Sequence, residues 1–401
     1  VKEQFNPERL DRLSQHLMQH YIAPGKIPGC RIVVAQKRAR VYNATLGQMD
    51  IERGRTMRED TIFRIYSMSK PITSVALMML FEEGRFSLTD SVSKFIPSWR
   101  KHRVWIKGSG SQMVTRRPKS PMTIQHLLCH TAGLTYGGFL PGLELPVDAA
   151  YASAGISRNS EDSLTSFVEK LSQVPLLYDP GTRWSYSIAT DVCGHLVELI
   201  SGQPFESFLK ERLFEPLGML DTAFTVSDAS LNRFAACYER SSNGTLKLQD
   251  NPVTSNYRSI PGAPSGAGGL VGTIDDYSKF CSMLLQGGSY DGHQLIGRAT
   301  LDLMTRNHLV GGSSLAKMAM GGFSETANDG VGFGLGFAST IDPIASGTVG
   351  LGDFYWGGLA STLFWVDPIE EFYVIFMTQL IPSSTFNFRG QLKNIIYGAL
   401  Y

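Results

Sequence analysis

Apolar positions crowd most densely between Ile62 and Gly84. Ile62, Phe63, Ile65 and Tyr66 predict a short strand, and after Ser67-Met68-Ser69-Lys70 the run from Pro71 to Phe81 is apolar on nearly every face. Glu82, Glu83 and a terminating Gly84 end it. A helix that is hydrophobic all round belongs in a protein interior. Pro71 falls in the first turn, where backbone N–H groups have no intrahelical partner, and Gly84 suits the position just past the end. The pattern therefore places Ser67 at the N-terminus of a buried central helix.

The remaining segments are less apolar but well punctuated. Asn6 and Pro7 open a helix carrying Leu10, Leu13, Leu17 and Tyr21 at helical spacing. Residues 30–35 and 40–47 predict a hairpin leading towards the strand before Ser67. The stretch 86–122 is polar and irregular, and Thr123 then caps a helix over 124–129. A loop-rich insertion over 135–180, with one helix over 161–172, predicts a lid or pocket wall. Trp184-Ser185-Tyr186-Ser187 leads into an apolar helix ending at Gly202, with a second helix over 204–214. Tyr186 would stand at a helix start with its hydroxyl free to enter a cleft. Asn243-Gly244 marks another hairpin. Residues 350–359, 361–366 and 372–379 predict strands, with Asp367-Pro368 turning between the last two, and 386–401 a closing helix.

Composition narrows the classes. The 401 residues, 43% hydrophobic, suffice for a large core, and 37 basic against 36 acidic side chains argue against a nucleic-acid surface. The basic side chains between Arg100 and Lys119 lack interleaved aromatics and predict a solvated loop. Cys30, Cys129, Cys193, Cys237 and Cys281 are odd in number and contain no Cys-x-x-Cys pair, which suits reduced thiols and a cytoplasmic location. The longest apolar run is too short to span a bilayer. No signal-peptide pattern opens the chain, although it begins at Val1, which leaves room for a trimmed leader.

Chemistry concentrates at the head of the central helix. Ser67 and Lys70 are three apart, so one helical turn puts their side chains on one face. A serine hydroxyl needs a base, and a lysine with its ordinary pKa of about 10.4 is charged. Burial and the positive end of a helix dipole both disfavour the ammonium form, which makes Lys70 a candidate base. The spacing alone is weak, because Ser91/Lys94, Ser98/Lys101, Ser207/Lys210 and Ser314/Lys317 repeat it. None of those opens a buried helix. A helix-capping serine beside a snorkelling lysine is the bland alternative for Ser67.

Other candidates are poorer. His16 and His20 lie one turn apart, but no Glu or third ligand accompanies them, and no metal site is expected. The glycine-rich stretch 265–272 feeds a helix capped by Thr273, and close packing explains it better than phosphate binding. Ser265 has Ala263 and Ala267 where a Gly-x-Ser-x-Gly elbow needs glycines, which argues against a histidine triad.

Taken together and in order, Ser67-x-x-Lys70, Leu128-Cys129-His130-Thr131-Ala132-Gly133-Leu134, Pro180-Gly181-x-x-Trp184-x-Tyr186-Ser187, Pro216-Leu217-Gly218-Met219 and Trp356-Gly357-Gly358 resemble the serine β-lactamase and penicillin-binding-protein superfamily. Within it the chain is most similar to the family VIII carboxylesterases, which share the class C β-lactamase fold. The resemblance implies an α+β fold in which residues 1–85 and 285–401 build a lobe with an antiparallel sheet flanked by helices. Residues 86–284 would form a mainly helical lobe with the 135–180 wall.

The resemblance also implies roles. Ser67 would be the acylated nucleophile, with Lys70 and Tyr186 as general base and acid. The backbone N–H groups of Ser67 and Leu359 would form the oxyanion hole, and Tyr136, Ile188, Trp356, Gly357 and Gly358 would contact substrate. Two departures bear on that substrate. Ile188 stands where penicillin-active relatives carry an Asn, and Trp356-Gly357-Gly358 replaces their Lys-Thr-Gly. Losing that lysine removes a cation suited to a substrate carboxylate. The implied activity is therefore hydrolysis of short- to medium-chain carboxylic esters, with no metal or organic cofactor. The implied partner is a small-molecule ester, and the oligomeric state is left open. A β-lactamase, an acyltransferase, an amidase of D-configured peptides and a non-catalytic scaffold are the alternatives.

Overall fold

The computed structural model describes residues 4–138, 144–156, 162–319 and 329–401. Its centre is an eight-stranded antiparallel sheet drawn from both ends of the chain. In spatial order its strands are Val331–Phe333, Ala338–Thr340, Phe354–Gly357, Leu363–Asp367, Phe372–Met377, Gly29–Gln36, Ala39–Asp50 and Arg55–Thr56. The expected α+β architecture is present. The N-terminal hairpin joins the C-terminal meander through Gly29–Gln36, which pairs with Phe372–Met377 in the register Val33 opposite Ile375.

Register decides what each face of the sheet meets. Trp356 lies opposite Phe364, Phe364 opposite Ile375 and Ile375 opposite Val33, so all four share one face. The helix Ile274–Leu285 covers that face, with the Tyr277 ring 5.1 Å from Phe364. Tyr277 also donates its hydroxyl to the Met68 carbonyl at 3.0 Å, fixing the start of the central helix. The opposite face carries Phe376, which meets Phe388 of the C-terminal helix Phe388–Tyr397 at 4.9 Å. Both faces are covered, which is why these strands read as apolar runs and not as alternating ones.

The central helix is Ser69–Glu82, preceded by a single 3-10 turn, Tyr66–Met68. Every residue from Ser69 to Leu80 is buried, as expected of its uniformly apolar sequence. The strand before it, Ile62–Arg64, does not continue the hairpin. It pairs with Val271–Thr273 in a separate two-stranded sheet. The fully buried Arg64 at its end bonds Asp250 at 2.7 Å and the Ala235 carbonyl at 2.6 Å, with its guanidinium over the face of Phe234.

The helical region departs from the sequence reading in detail. Residues 86–122 contain a short hairpin, Val104–Lys107 with Val114–Arg116, and Arg116 pairs with Asp179 across the chain. Among the described residues, the 135–180 insertion holds two helices, Asp148–Ser153 and Leu164–Leu171, where one was expected. The predicted start of the latter at Glu161 lies outside the described residues. Ala189–Ser201 ends at Gly202 in the left-handed conformation, as the sequence indicated. His16 is used structurally, hydrogen-bonding Gln391 of the last helix at 2.8 Å. Among the described residues no helix is long and apolar enough to cross a membrane.

Candidate active site

Three elements meet at Ser67. The first is the 3-10 turn and central helix. Ser67 is half-buried, Lys70 is 1% exposed, and the Lys70 Nζ donates to Ser67 Oγ at 3.1 Å. The one-turn spacing therefore delivers the expected pair. Tyr66, immediately before Ser67, holds φ at 42°, a left-handed conformation that costs a non-glycine residue about 1–2 kcal/mol.

The second element is the loop before the helix Ala189–Ser201. Tyr186 lies three residues ahead of that helix and not at its first position, because residues 184–188 run beside the segment that follows the helix Ile124–Leu128. Ser185 N–H donates to the His130 carbonyl at 2.8 Å and Ile188 N–H to the Thr135 carbonyl at 3.4 Å. The Tyr186 ring is buried among Trp184, His130, Tyr136 and Trp356, at centroid distances of 5.9, 5.0, 5.2 and 5.3 Å. Its hydroxyl is engaged by the Trp356 indole, whose N–H donates to it at 3.3 Å. The face of the same ring is 4.6 Å from the Lys70 Nζ.

His130 is enclosed in this cluster, with Nδ1 3.3 Å from the Ser187 hydroxyl. Burial, and secondarily the neighbouring Lys70 charge, push its pKa well below the usual histidine value. Both effects favour the neutral ring.

The third element is the end of the strand Phe354–Gly357. A Cβ added at Gly358 would lie 2.4 Å from the Ile65 carbonyl and 2.3 Å from Thr362 Oγ1. Only glycine lets this strand end approach the residues leading to Ser67 so closely. Gly358 N–H donates to the Thr362 carbonyl at 2.7 Å and Ser361 N–H to the Gly358 carbonyl at 3.0 Å. Those turn bonds use the amides of Gly358 and Ser361 and not that of Leu359.

A cavity of about 260 Å³ adjoins this cluster. Tyr66, Tyr136, Phe167, Ile188, Phe224 and Tyr257 give it mostly apolar walls. Tyr136 and Ile188, both singled out from sequence, line it. Trp356, Gly357 and Gly358 do not; they are buried behind Tyr186 and against Ile65.

Sequence reasoning missed the part played by the glycine-rich loop. It does cap and pack, as expected, but the carbonyl of Ala267 also accepts from Lys70 Nζ at 2.6 Å. Thr73 donates to the Gly266 carbonyl at 2.8 Å, and Leu270 N–H to Ser69 Oγ at 3.2 Å. Backbone carbonyls leave no residue-type signal, so only the run of glycines marked the place.

A half-buried serine in contact with a buried lysine at the head of a central helix is an arrangement suited to a serine hydrolase. The chain belongs to the Beta-lactamase family, whose model matches residues 11–392. It is 31% identical over 363 residues to Protein Rv1367c of Mycobacterium tuberculosis (strain ATCC 25618 / H37Rv), covering 90% of this chain and 87% of the relative. It is 30% identical over 368 residues to Esterase EstB of Burkholderia gladioli, covering 88% and 86% respectively. Among solved structures it is similar to EstCE1, described as a hydrolase with promiscuous acyltransferase activity. There the TM-score is 0.80 and the identity 26%, with 98% of this chain and 99% of the other covered.

Proposed function

We propose that this protein is a serine carboxylesterase that hydrolyses uncharged esters with short to medium acyl chains through an acyl-enzyme on Ser67. The observation that carries this is the 3.1 Å contact between Lys70 Nζ and Ser67 Oγ, next to a mostly apolar cavity lined by Tyr66, the residue before Ser67, and by Ala267, whose carbonyl accepts from Lys70. In its neutral form an amine has two N–H groups and one lone pair. With one N–H given to the Ala267 carbonyl, the lone pair can take the Ser67 proton as Oγ attacks the ester carbon.

The tetrahedral oxyanion would be held by the N–H groups of Ser67 and Leu359. Tyr186, beside Lys70, would pass the proton to the departing alcohol, and water would then release the acid by the reverse relay. No step requires a metal or organic cofactor. Trp356 in place of a lysine, and Ile188 in place of an asparagine, favour uncharged substrates over β-lactams.

A second reading, transfer of the acyl group to an alcohol, is favoured by the likeness to EstCE1. It shares the first half-reaction.

The test is intact mass after exposure to a serine-directed phosphonate ester, followed by peptide mapping and by p-nitrophenyl ester kinetics. A single adduct on Ser67, absent in Ser67→Ala and strongly slowed in Lys70→Ala, is expected. A folded protein with no adduct, or with its adduct on another serine, would overturn the proposal. Adding a nucleophilic alcohol to the ester assay separates hydrolysis from transfer by product partition.

A further inference from the structure

Asp191 lies in the first turn of the helix that follows Tyr186 and is 5% exposed. Burying a carboxylate is costly unless strong hydrogen bonds compensate it. Its Oδ1 accepts from Ser265 Oγ at 2.6 Å and from the Ala267 N–H at 2.9 Å. The carbonyl of that same Ala267 is the acceptor for Lys70 Nζ. One peptide unit thus separates the carboxylate from the lysine's partner.

The loop can lie there only because Gly266 has no side chain: a Cβ would stand 2.9 Å from both the Thr190 carbonyl and Thr73 Cγ2. From the other side, Thr73 and Ser69 of the central helix hold the Gly266 carbonyl and the Leu270 amide. The loop is therefore clamped between the helix that carries Lys70 and the helix that follows Tyr186. Asp191 is the clamp on the Tyr186 side.

We infer that Asp191 is a positioning residue for the acyl-transfer reaction: through Ala267 it fixes the carbonyl that holds one Lys70 N–H, and so helps orient the Lys70 lone pair towards Ser67. The inference rests on the proposed esterase reading. Asp191 also lines the cavity beside the site, so its effect on the lysine is read from kcat and the pH profile and not from KM.

The test compares wild type, Asp191→Asn, Asp191→Ala and Ser265→Ala in p-nitrophenyl butyrate kinetics across pH. Wild-type turnover, or its absence, reports on the esterase reading itself. The variant-to-wild-type ratios report on Asp191. Asp191→Ala is expected to lower kcat by about 10- to 100-fold, the scale of losing a buried charge-assisted bond that orients a catalytic group. The acid limb of its kcat/KM profile should move to lower pH, because the protonated lysine loses an acceptor it holds more strongly than the neutral amine does. Asp191→Asn keeps an oxygen for both donors and should recover to within about threefold of wild type. Ser265→Ala should cost about threefold in kcat.

An Asp191→Ala variant with wild-type kcat and an unmoved pH profile would overturn the inference. So would Asp191→Asn as damaged as the alanine variant, since a carboxylate that only positions the loop can be replaced by an amide oxygen. If Asp191→Ala does not fold, the asparagine and Ser265 variants carry the test. Failure of the asparagine to reach threefold, or no effect at Ser265, then overturns it.

Discussion

The indole N–H of Trp356 donates to the hydroxyl oxygen of Tyr186 at 3.3 Å, so Trp356 engages the candidate acid–base tyrosine. It is buried behind that ring. Trp356→Phe keeps an aromatic ring and deletes the donor. The expected outcome is a fall in kcat of about tenfold, the scale of one hydrogen bond to a charged or charging group, with KM changed much less. Steady-state kinetics on a p-nitrophenyl ester check it. A raised KM with unchanged kcat would instead make Trp356 a simple substrate contact.

Gly358 is a second point of exact fit in the strand end. Gly358→Ala must displace both the Ile65 carbonyl and the Thr362 hydroxyl, or the strand end itself, because the added Cβ would sit within 2.4 Å of both. Overpacking of this kind costs about 1–3 kcal/mol. Urea denaturation should show that loss, and because the Leu359 amide follows directly, kcat should fall by more than tenfold. A variant that is destabilised yet fully active would remove Leu359 from the proposed oxyanion hole.

Tyr66 joins the nucleophile to the cavity wall. Its left-handed backbone presents the ring to the cavity, edge-on to Tyr257 at 6.5 Å. Tyr66→Ala should widen the cavity and favour longer acyl groups, raising the octanoate-to-butyrate ratio of kcat/KM by about tenfold, each buried methylene being worth about 0.8 kcal/mol. An unchanged chain-length profile would place the acyl group elsewhere.

His130 links the site to acid stability. Its folded-state pKa is depressed by burial and by Lys70, so the unfolded chain binds the extra proton more readily. The stability this contributes is present above the ordinary histidine pKa of about 6.5 and is lost as pH falls below it. His102, His126 and His308, also depressed by burial, act in the same direction. Thermal melts should therefore show Tm falling from pH 7.5 to pH 5.5. In His130→Asn that dependence should flatten by about one proton's worth. An equal slope in wild type and variant would show that His130 titrates normally.

What could be read from the chain and what could not divide along a physical line. Local pattern was enough for the buried helix Ser69–Glu82, because a segment apolar on all faces has nowhere else to go. It was enough for the Ser67–Lys70 contact, because three residues of helix bring two side chains together wherever that helix lies. The strands around Phe354–Met377 and the helix end at Gly202 were legible for the same reason: period and punctuation are local properties.

Tertiary structure decided the rest. Ile62–Arg64 pairs with Val271–Thr273, about 200 residues on, and its buried Arg64 finds partners in Asp250 and the Ala235 carbonyl. Trp356 bonds Tyr186, 170 residues away in sequence, a contact that no local pattern encodes. Ala267 offers Lys70 a carbonyl that no residue identity encodes, and Asp191 became relevant only once the loop lay against it. Residue type specifies which chemistry is available. Which backbone atom or distant side chain completes it depends on long-range packing, where the free energy of burial and polar satisfaction is settled over the whole fold and not within any one segment.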